Sequence, residues 1–367
     1  MEDKWDRIIT GQATGVPASV VRAGLRLGAA AYAGGLAANH FVYDSGLRQR
    51  TRPALPVISV GNLSLGGTGK TTAAAFIARL LLPHAKPAIV LRGYRRREVA
   101  GPLIVADGRH TRAMLSEAGD EALMLARQLP GCAVGVGKRR ERVIEQLKAQ
   151  TGAQVAILDD GLQYFRMRRS VEIVLLDALS NFASWRLFPA GRLREPVSGL
   201  ARATQVWITH ADIAPPRRVR TLEDVAANSA PEALVVRTRH RPGPLRPITA
   251  GQQVPDSIRD MKVVALSALG NPEAFELALT DLGAHVQPLR FPDHHAYAAG
   301  DYDAVRACAR SYGAEVIVTT EKDAVKLPEP PADLPPVAVM GCDLQILDHA
   351  QDAQQQLIQV VERPCAD

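Results

Sequence analysis

Apolar and polar positions along the 367-residue chain predict strands and helices that alternate. Short β-branched runs predict buried strands, and longer stretches with apolar residues at helical spacing follow them. In the first part of the chain the predicted strands lie at 57–60, 88–91, 133–136, 155–158, 171–178 and around Val206. Apolar strands that alternate with helices favour a doubly wound, mostly parallel α/β sheet with helices on both faces.

Pro- and Gly-rich stretches interrupt this alternation at 215–216 and 241–256. Such compositions are typical of connections between domains. A second, shorter alternation follows and ends in a predicted terminal helix. The pattern predicts a larger α/β domain over 51–215 and a smaller α/β domain over 216–367. The smaller domain would contribute to the active-site cleft, and the terminal helix would be able to pack back on the first domain.

Residues 1–50 form a third segment with a helical pattern. Its apolar face, which arginines flank, comprises Val21, Leu25, Gly28, Tyr32 and Leu36. Such a face can lie in a membrane interface, although the same pattern also suits a helix packed on its own domain. The most apolar stretch, 27–38, is shorter than the roughly 20 residues that span a bilayer.

Composition narrows the function classes only slightly. Hydrophobic residues make up 47% and charged residues 22% of the chain, as in ordinary globular proteins. The net charge of +6 suits nucleic acid, anionic lipid or a phosphorylated ligand. Aromatic residues are only 5% and do not alternate with the basic clusters, which disfavours nucleic acid. The four cysteines are scattered, so neither a zinc site nor a disulfide framework is indicated.

The stretch VISVGNLSLGGTGKTTAAAFIARLL places a glycine-rich turn between a strand and a helix. Glycines allow backbone N–H groups to converge on an anion, and a helix N-terminus adds its positive dipole end. In such a loop Lys70 reaches the outer phosphates and the Thr71 hydroxyl can bind Mg²⁺. Ser64 stands where the general pattern has glycine. The predicted phosphate-binding residues, here named the P-loop, are Ser64, Leu65, Gly66, Gly67, Thr68, Gly69, Lys70 and Thr71.

Two acidic pairs lie where an α/β sheet builds its sites. Asp159 and Asp160 follow the predicted strand at 155–158, and two adjacent carboxylates repel each other unless a cation compensates them. They are therefore candidates for the magnesium site. Asp120 and Glu121 begin a predicted helix, where acidic residues either stabilise the helix start or act as a general base. The residue pattern leaves both roles open.

Arginines cluster in loops that follow strands, where they can bind phosphates with two hydrogen bonds. Arg92, Arg139 and Arg194 represent three of these clusters. Farther along, two histidines follow an aspartate at 293–295. Neighbouring side chains of an extended chain point apart, so one histidine that works with a carboxylate is favoured over a metal site with both.

Eight stretches together resemble, in the same order, the tetraacyldisaccharide 4′-kinase family, the lipid A 4′-kinases. They span residues 57–327 and read VGNLSLGGTGKT, LRGYRR, GDEALML, ILDDGLQ, AGRLREP, LSALGNPEAF, FPDHH and TTEKDAVKL. The family also lacks the first P-loop glycine, so Ser64 fits the resemblance. Two departures are Ala122, where the family commonly has proline, and an N-terminal segment richer in glycine and alanine.

The resemblance implies transfer of the γ-phosphate of ATP to the 4′-hydroxyl of a tetraacylated glucosamine disaccharide 1-phosphate, which gives lipid IVA. ATP and Mg²⁺ would be required, and the acylated lipid would be the partner, with neither nucleic acid nor a protein partner indicated. The enzyme would be peripheral, on the cytoplasmic face of the bacterial inner membrane. Its N-terminal helix would help it to meet the lipid.

The family's phosphate and metal roles fall on four residues of this sequence. Lys70 and Thr71 would bind phosphate and Mg²⁺. Asp159 and Asp160 would occupy the acidic position beside the magnesium ion.

The family's acceptor chemistry falls on a second group of residues. Asp120 would take the proton of the sugar hydroxyl, and His294 would support it. Residues implied at the phosphate or substrate contacts are Arg92, Arg139, Arg194, Glu121 and Gln163.

Two other classes use similar loops. Partitioning and metallocluster ATPases carry a signature lysine just before the glycine pair, whereas this chain has Leu65. A nucleotide-dependent switch would bind ATP without phosphorylating a small acceptor, and it would not need the acidic and histidine groups around Asp120 and His294.

Overall fold

A computed structural model describes residues 2–93, 101–181, 184–249, 251–269, 272–292 and 295–362 of the chain. Two helices come first, α1 (Glu2–Ile9) and α2 (Val16–Asp44). The next seven strands are β1 (Val57–Asn62), β2 (Pro87–Leu91), β3 (Leu103–Asp107), β4 (Ala133–Val136), β5 (Val155–Asp159), β6 (Val171–Asp177) and β7 (Gln205–Thr209). The helices among and after them are α3 (Lys70–Leu81), α4 (Leu115–Ala118), α5 (Asp120–Gln128), α6 (Arg140–Thr151), a 3-10 helix (Val197–Arg202) and α7 (Pro216–Ser229).

The second half repeats the alternation on a smaller scale. Its elements are β8 (Leu234–Pro247), β9 (Lys262–Ser267), α8 (Pro272–Asp281), β10 (His285–Arg290), α9 (Asp301–Tyr312), β11 (Val316–Thr320), α10 (Glu321–Ala324), β12 (Val337–Ile346) and α11 (Ala350–Glu362). The terminal helix α11 packs against α3 of the first half.

The described strands form one sheet in the order β10-β9-β11-β12-β8-β7-β6-β1-β5-β2-β4-β3. Neighbouring strands run parallel except where β3 meets β4 and β8 meets β12. Along β5, Val155 and Ile157 face the core with α3, while Ala156 and Leu158 face the core with α6. Because both faces of the strand are covered, its residues from Val155 to Leu158 are all apolar. The predicted doubly wound, mostly parallel fold is confirmed.

Strand β8 differs from the sequence prediction. The prolines at 241–256 predict a connection between two domains, but residues through Pro247 belong to β8. Residues 234–237 of β8 pair with β7, and residues 238–247 pair antiparallel with β12. Beyond Arg237, in the described part of the chain, the β7 side of β8 has no strand partner, and a bulge interrupts the β12 ladder. Prolines are tolerated at such edges and bulges, so their presence did not exclude a strand.

The N-terminal helices pack along one side of the first half. Tyr32 Oη of α2 donates to the carbonyl of Arg194 at 2.9 Å, and Trp5 Nε1 of α1 donates to the carbonyl of Pro189 at 3.2 Å. The opposite face of α2 is exposed and apolar, with Leu27 75% and Phe41 65% exposed. Among the described residues, none of the helices has the length and apolar character needed to cross a bilayer.

Strand β1 lies between β5 and β6, where the order of strands along the chain reverses direction. In open α/β sheets, ligands bind outside the carboxyl ends of the strands at such a point. The P-loop follows β1 directly, so the fold places the predicted phosphate site there.

Candidate active site

The P-loop leaves β1 and opens helix α3 through a tight turn. Gly66 and Gly69 have φ angles of 114° and 83°, which side chains rarely adopt, and α3 begins at Lys70. The loop lines a cavity of about 580 Å³, here named the P-loop cavity. Its other walls are the end of β2, the start of α5, the end of β5 and Lys322 of α10. The left-handed glycines and the helix start together form a cradle suited to an anion.

Asn62, the last residue of β1, holds the P-loop in place. Its fully buried side chain donates from Nδ2 to Thr68 Oγ1 at 2.8 Å. Its Oδ1 accepts a hydrogen bond from Lys70 Nζ at 3.3 Å and another from Arg194. Asn62 was not predicted as a site residue, although it lies inside the first family stretch. Its contact with Arg194, 132 positions away in the chain, depends on the fold and has no local sequence signal.

Asp160 meets two cations at the edge of the P-loop cavity. The two terminal nitrogens of Arg194 donate to its carboxylate at 2.9 and 2.7 Å, and Lys70 Nζ lies 3.7 Å from Oδ1. Burial raises the pKa of Asp160, but the Arg194 hydrogen bonds and the Lys70 charge outweigh burial and lower the pKa to about 2. Asp160 is therefore ionised and positions both cations.

Asp159 ends β5 beside the first turn of α3. Thr71 Oγ1 donates to Asp159 Oδ2 at 2.9 Å, so a hydroxyl and a carboxylate lie together under the P-loop. Burial raises the pKa of Asp159, and the Lys70 charge opposes that shift. A buried carboxylate whose charged form is disfavoured gains most from a cation placed next to it.

Asp120 and Glu121 face the P-loop across the same cavity. They are the first two residues of α5, where the helix N-terminus favours negative charge. Burial, together with the charges of Asp159 and Asp120, raises the pKa of Glu121 to about 7. Two carboxyl groups, of which Glu121 has a raised pKa, therefore lie side by side in the wall of the cavity.

Three other predicted residues, Arg92, Gln163 and Arg139, differ in whether they reach the P-loop cavity. Arg92, at the end of β2, lines the P-loop cavity. Gln163 does not line this cavity; its Nε2 donates to the Asn62 carbonyl and to Glu195 Oε1, each at 3.0 Å. Arg139 does not line the cavity, because its half-exposed side chain pairs with Glu141 at 3.2 Å.

Ser64 and Leu65 support the loop through their backbones. Ser64 bridges to Leu193, and the Leu65 N–H donates to the Arg192 carbonyl at 2.7 Å. A side chain at position 64 is therefore compatible with the loop, since the backbone makes the contact. His294 lies outside the described residues.

Lys322 enters the P-loop cavity from α10, in the second half of the chain. Thr320 caps this short helix, and the buried Asp323 accepts hydrogen bonds from Thr320 Oγ1 and from the Ala268 N–H. In the sequence, the charges of TTEKDAVKL are equally consistent with capping and solvation. In the structure the Thr320 hydroxyl caps the turn by accepting from the Asp323 N–H, whereas Lys322 faces the cavity.

A second cavity of about 1150 Å³, here named the α2 cavity, lies between α2, the loop at 165–170 and the 3-10 helix. Arginines on its wall are Arg48, Arg50, Arg168, Arg169 and Arg202. Glu195 is fully buried beside it and accepts from Arg202 at 2.6 Å. Since Gln163 bridges Glu195 and Asn62, hydrogen bonds connect this region to the P-loop.

Comparisons with known proteins agree on one family. A family model described as tetraacyldisaccharide-1-phosphate 4′-kinase, LpxK, matches residues 21–362. A tetraacyldisaccharide 4′-kinase of Anaeromyxobacter dehalogenans is 41% identical over 86% of this chain and 82% of its own length. One of Halothermothrix orenii is 35% identical over 74% of this chain and 73% of its own.

A solved structure shows the same fold. The crystal structure of LpxK from Aquifex aeolicus in complex with ATP matches with a TM-score of 0.76 and 27% identity, over 93% of this chain and 99% of that one. The chain therefore belongs to the tetraacyldisaccharide 4′-kinase family of lipid A biosynthesis, as its motifs predicted, and it is a kinase for the 4′-hydroxyl of a tetraacylated disaccharide 1-phosphate rather than a partitioning-type ATPase.

Proposed function

We propose that ATP binds with its phosphates in the P-loop and that the acceptor hydroxyl approaches from the side of Asp120. The observation that carries this proposal is the P-loop cavity itself. It brings Lys70, the Thr71–Asp159 pair and the carboxylates of α5 together around one cavity. Phosphoryl transfer depends mostly on alignment and charge neutralisation, and this arrangement provides both.

The residues under the P-loop fit a magnesium ion. Mg²⁺ prefers hard oxygen ligands and usually binds one or two protein groups together with substrate phosphates and water. Thr71 Oγ1 and Asp159 Oδ2, 2.9 Å apart, are such groups, with Asp160 in support. Among the described residues no cluster of three or more acidic, histidine or cysteine side chains suits a metal, which agrees with a site that substrate phosphates complete. When bound, Mg²⁺ would neutralise charge on the transferring phosphate.

The side chains around the cavity divide the remaining work. Lys70, Arg92 and Lys322 bind phosphate oxygens from three sides. Asp120 accepts the proton of the attacking hydroxyl, and His294 supports its basicity. Because the pKa of Glu121 is raised to about 7, Glu121 is a second carboxyl group beside Asp120 that can bind or release a proton near neutral pH.

The lipid acceptor is proposed to lie along the side of the first half that carries α2. The α2 cavity offers apolar helix positions beside arginines, which suits acyl chains next to an anionic sugar phosphate. Arg194 and Gln163 lie between this cavity and the P-loop. Arg139 remains a proposed substrate contact.

The exposed apolar face of α2 supports a peripheral membrane position. Val20, Leu27 and Phe41 are each more than 60% exposed. Burying such a face in the headgroup region of an anionic bilayer, with arginines alongside, is favourable. We propose that the enzyme works on the cytoplasmic face of the bacterial inner membrane, with the exposed face of α2 in contact with the lipid.

The proposed division is a membrane-facing segment (1–50), a P-loop domain (51–215) and a smaller α/β domain (216–367). Lys322 supports the role of the third part, because it brings a cation from that part into the P-loop cavity.

The test compares Asp120→Asn with Asp224→Asn, an exposed aspartate of α7. Both enzymes receive ATP, Mg²⁺ and a tetraacylated disaccharide 1-phosphate in mixed micelles, and the phosphorylated lipid is measured. Asp120→Asn should lower kcat by about 10²–10⁴-fold and change ATP affinity less than about threefold. Asp224→Asn should match the wild type. ATP hydrolysis that is independent of the lipid would contradict the kinase mechanism, and equal losses in kcat and ATP affinity would show that Asp120 is structural.

A further inference from the structure

His240 of β8 packs directly against Gly69, the residue that precedes the P-loop lysine. A Cβ atom built on Gly69 would lie 2.4 Å from His240 Nε2 and 2.7 Å from Cε1. The imidazole therefore occupies the space that any side chain at position 69 would need. Gly69 has a left-handed backbone and caps α3, so His240 touches the loop at the residue that sets the direction of Lys70.

The His240 ring cannot easily retreat from Gly69. The ring of His210 lies behind it, with ring centroids 4.5 Å apart. His210 in turn is held by Asp177, whose Oδ1 lies 2.8 Å from Nδ1. The imidazole of His240 is thus wedged between a second ring and the P-loop backbone.

Neither ring nitrogen of His240 has a hydrogen-bond partner among the described residues, although both nitrogens are buried. Burial, with the nearby His210, lowers the pKa of His240 to about 4, so the ring is neutral. A buried imidazole without partners costs folding free energy, because its nitrogens lose water and gain nothing in return. An apolar residue would fill this position at lower cost if filling space were its only task.

We propose that His240 is a positioning residue that fixes the left-handed turn at Gly69 and so pre-forms the phosphate cradle. The inference rests on the proposed binding of ATP phosphates at the P-loop. A pre-formed loop binds phosphate more tightly, because less conformational freedom is lost on binding. Since β8 pairs with β7 on one side and with β12 beyond, His240 also makes the loop geometry depend on the strand that joins the two halves.

The first experiment measures binding of a fluorescent ATP analogue without lipid, together with steady-state kinetics. His240→Ala should weaken nucleotide affinity and raise KM for ATP by about tenfold, while kcat changes less than about threefold. His240→Phe keeps a flat ring against Gly69 and should restore the affinity to within about threefold. A lower melting temperature with unchanged nucleotide affinity would overturn the proposal, because a residue that only fills the core would give that result.

The second experiment tests the contact itself. Gly69→Ala should bind the analogue poorly, because the new methyl group meets His240 and the backbone is strained. In the double variant with His240→Ala the steric conflict is gone. The double variant should bind the analogue at least about fivefold more tightly than the product of the two single-variant losses in affinity predicts. Independent, multiplicative effects would overturn the proposal.

A third variant covers a failure of His240→Ala to fold. His210→Ala removes the ring behind His240 at a partly exposed position and should weaken nucleotide binding by about threefold. Unchanged nucleotide affinity of His210→Ala would overturn the idea that the His210 ring holds His240 against Gly69. A wild-type protein that binds the analogue but phosphorylates no lipid would contradict the proposed function, while these binding measurements would still decide the role of His240.

Discussion

Replacing Asn62 by alanine should loosen the P-loop from beneath. The wild-type amide is fully buried and contacts three groups, the Thr68 hydroxyl, the Lys70 ammonium and the Arg194 guanidinium. Alanine keeps the strand backbone but can contact none of them. Thr68 is also buried, so its hydroxyl is left with poor access to water.

The size of the effect follows from the kinds of hydrogen bond that are lost. A neutral hydrogen bond contributes about 1 kcal/mol net, and one to a charged group about 1.5–3 kcal/mol. Lys70 keeps Asp160 nearby, and Arg194 keeps its two hydrogen bonds to the same carboxylate. We therefore expect the free energy of unfolding to fall by about 2–4 kcal/mol. If about 1.5–3 kcal/mol of that loss also reaches the transition state, kcat/KM for ATP should fall about 10–200-fold.

Urea unfolding gives the stability change, and the lipid phosphorylation assay gives kcat/KM. Asn228→Ala, at an exposed position of α7, is the matched control; it should leave kcat/KM unchanged and alter the unfolding free energy by less than about 0.5 kcal/mol. A change below about 0.5 kcal/mol for Asn62→Ala would refute the reasoning, because it would mean that water replaces the amide without loss.

Three further predictions concern the cavity and the membrane-facing helix. Burial raises the pKa of Glu121 to about 7, so its ionisation opposes folding as the pH rises from about 4.5 to 7. The melting temperature of Glu121→Gln should therefore lie about 1–3 °C above that of the wild type beyond pH 7 and equal it near pH 4. A difference in melting temperature that does not depend on pH would contradict this prediction. Lys322→Met should raise KM for ATP about tenfold. Lys86→Met, on an exposed lysine just before the amino end of β2, should leave this KM unchanged, and equal effects would exclude a phosphate contact. Phe41→Asp should reduce sedimentation of the protein with anionic phospholipid vesicles by at least about threefold. Leu277→Asp, at a 60% exposed position of α8, should leave this sedimentation unchanged. Equal binding of both variants would argue against α2 as the membrane face.

The parts of the site that sequence could predict are local. Lys70 and Thr71 follow a strand and open a helix, so their pattern fixes their geometry within a few residues. Asp159 ends another parallel strand, and strand ends converge at one edge of such a sheet. The apolar runs predicted most strands correctly for the same reason, since a strand covered on both faces needs apolar residues throughout.

The parts that sequence missed depend on distant neighbours. Asn62 and Lys322 lie inside two of the family stretches, but their contacts come from the packing of remote segments, which local sequence does not reveal. The same dependence on remote packing holds for His240, which lies beside a stretch whose prolines suggested a linker. Local turn chemistry predicted a connection there, and pairing with β12 produced a strand instead.

Strand β8 also affects how the chain can be divided or assembled. The predicted boundary between residues 215 and 216 lies before β8, yet β8 covers the edge of β7. Every residue of β7 is buried, and an uncovered strand of that kind recruits other chains. A protein cut at this boundary would therefore have an adhesive sheet edge on its first fragment. During synthesis on the ribosome, the same edge stays open until β8 emerges, which makes that interval the time at which self-association competes with folding.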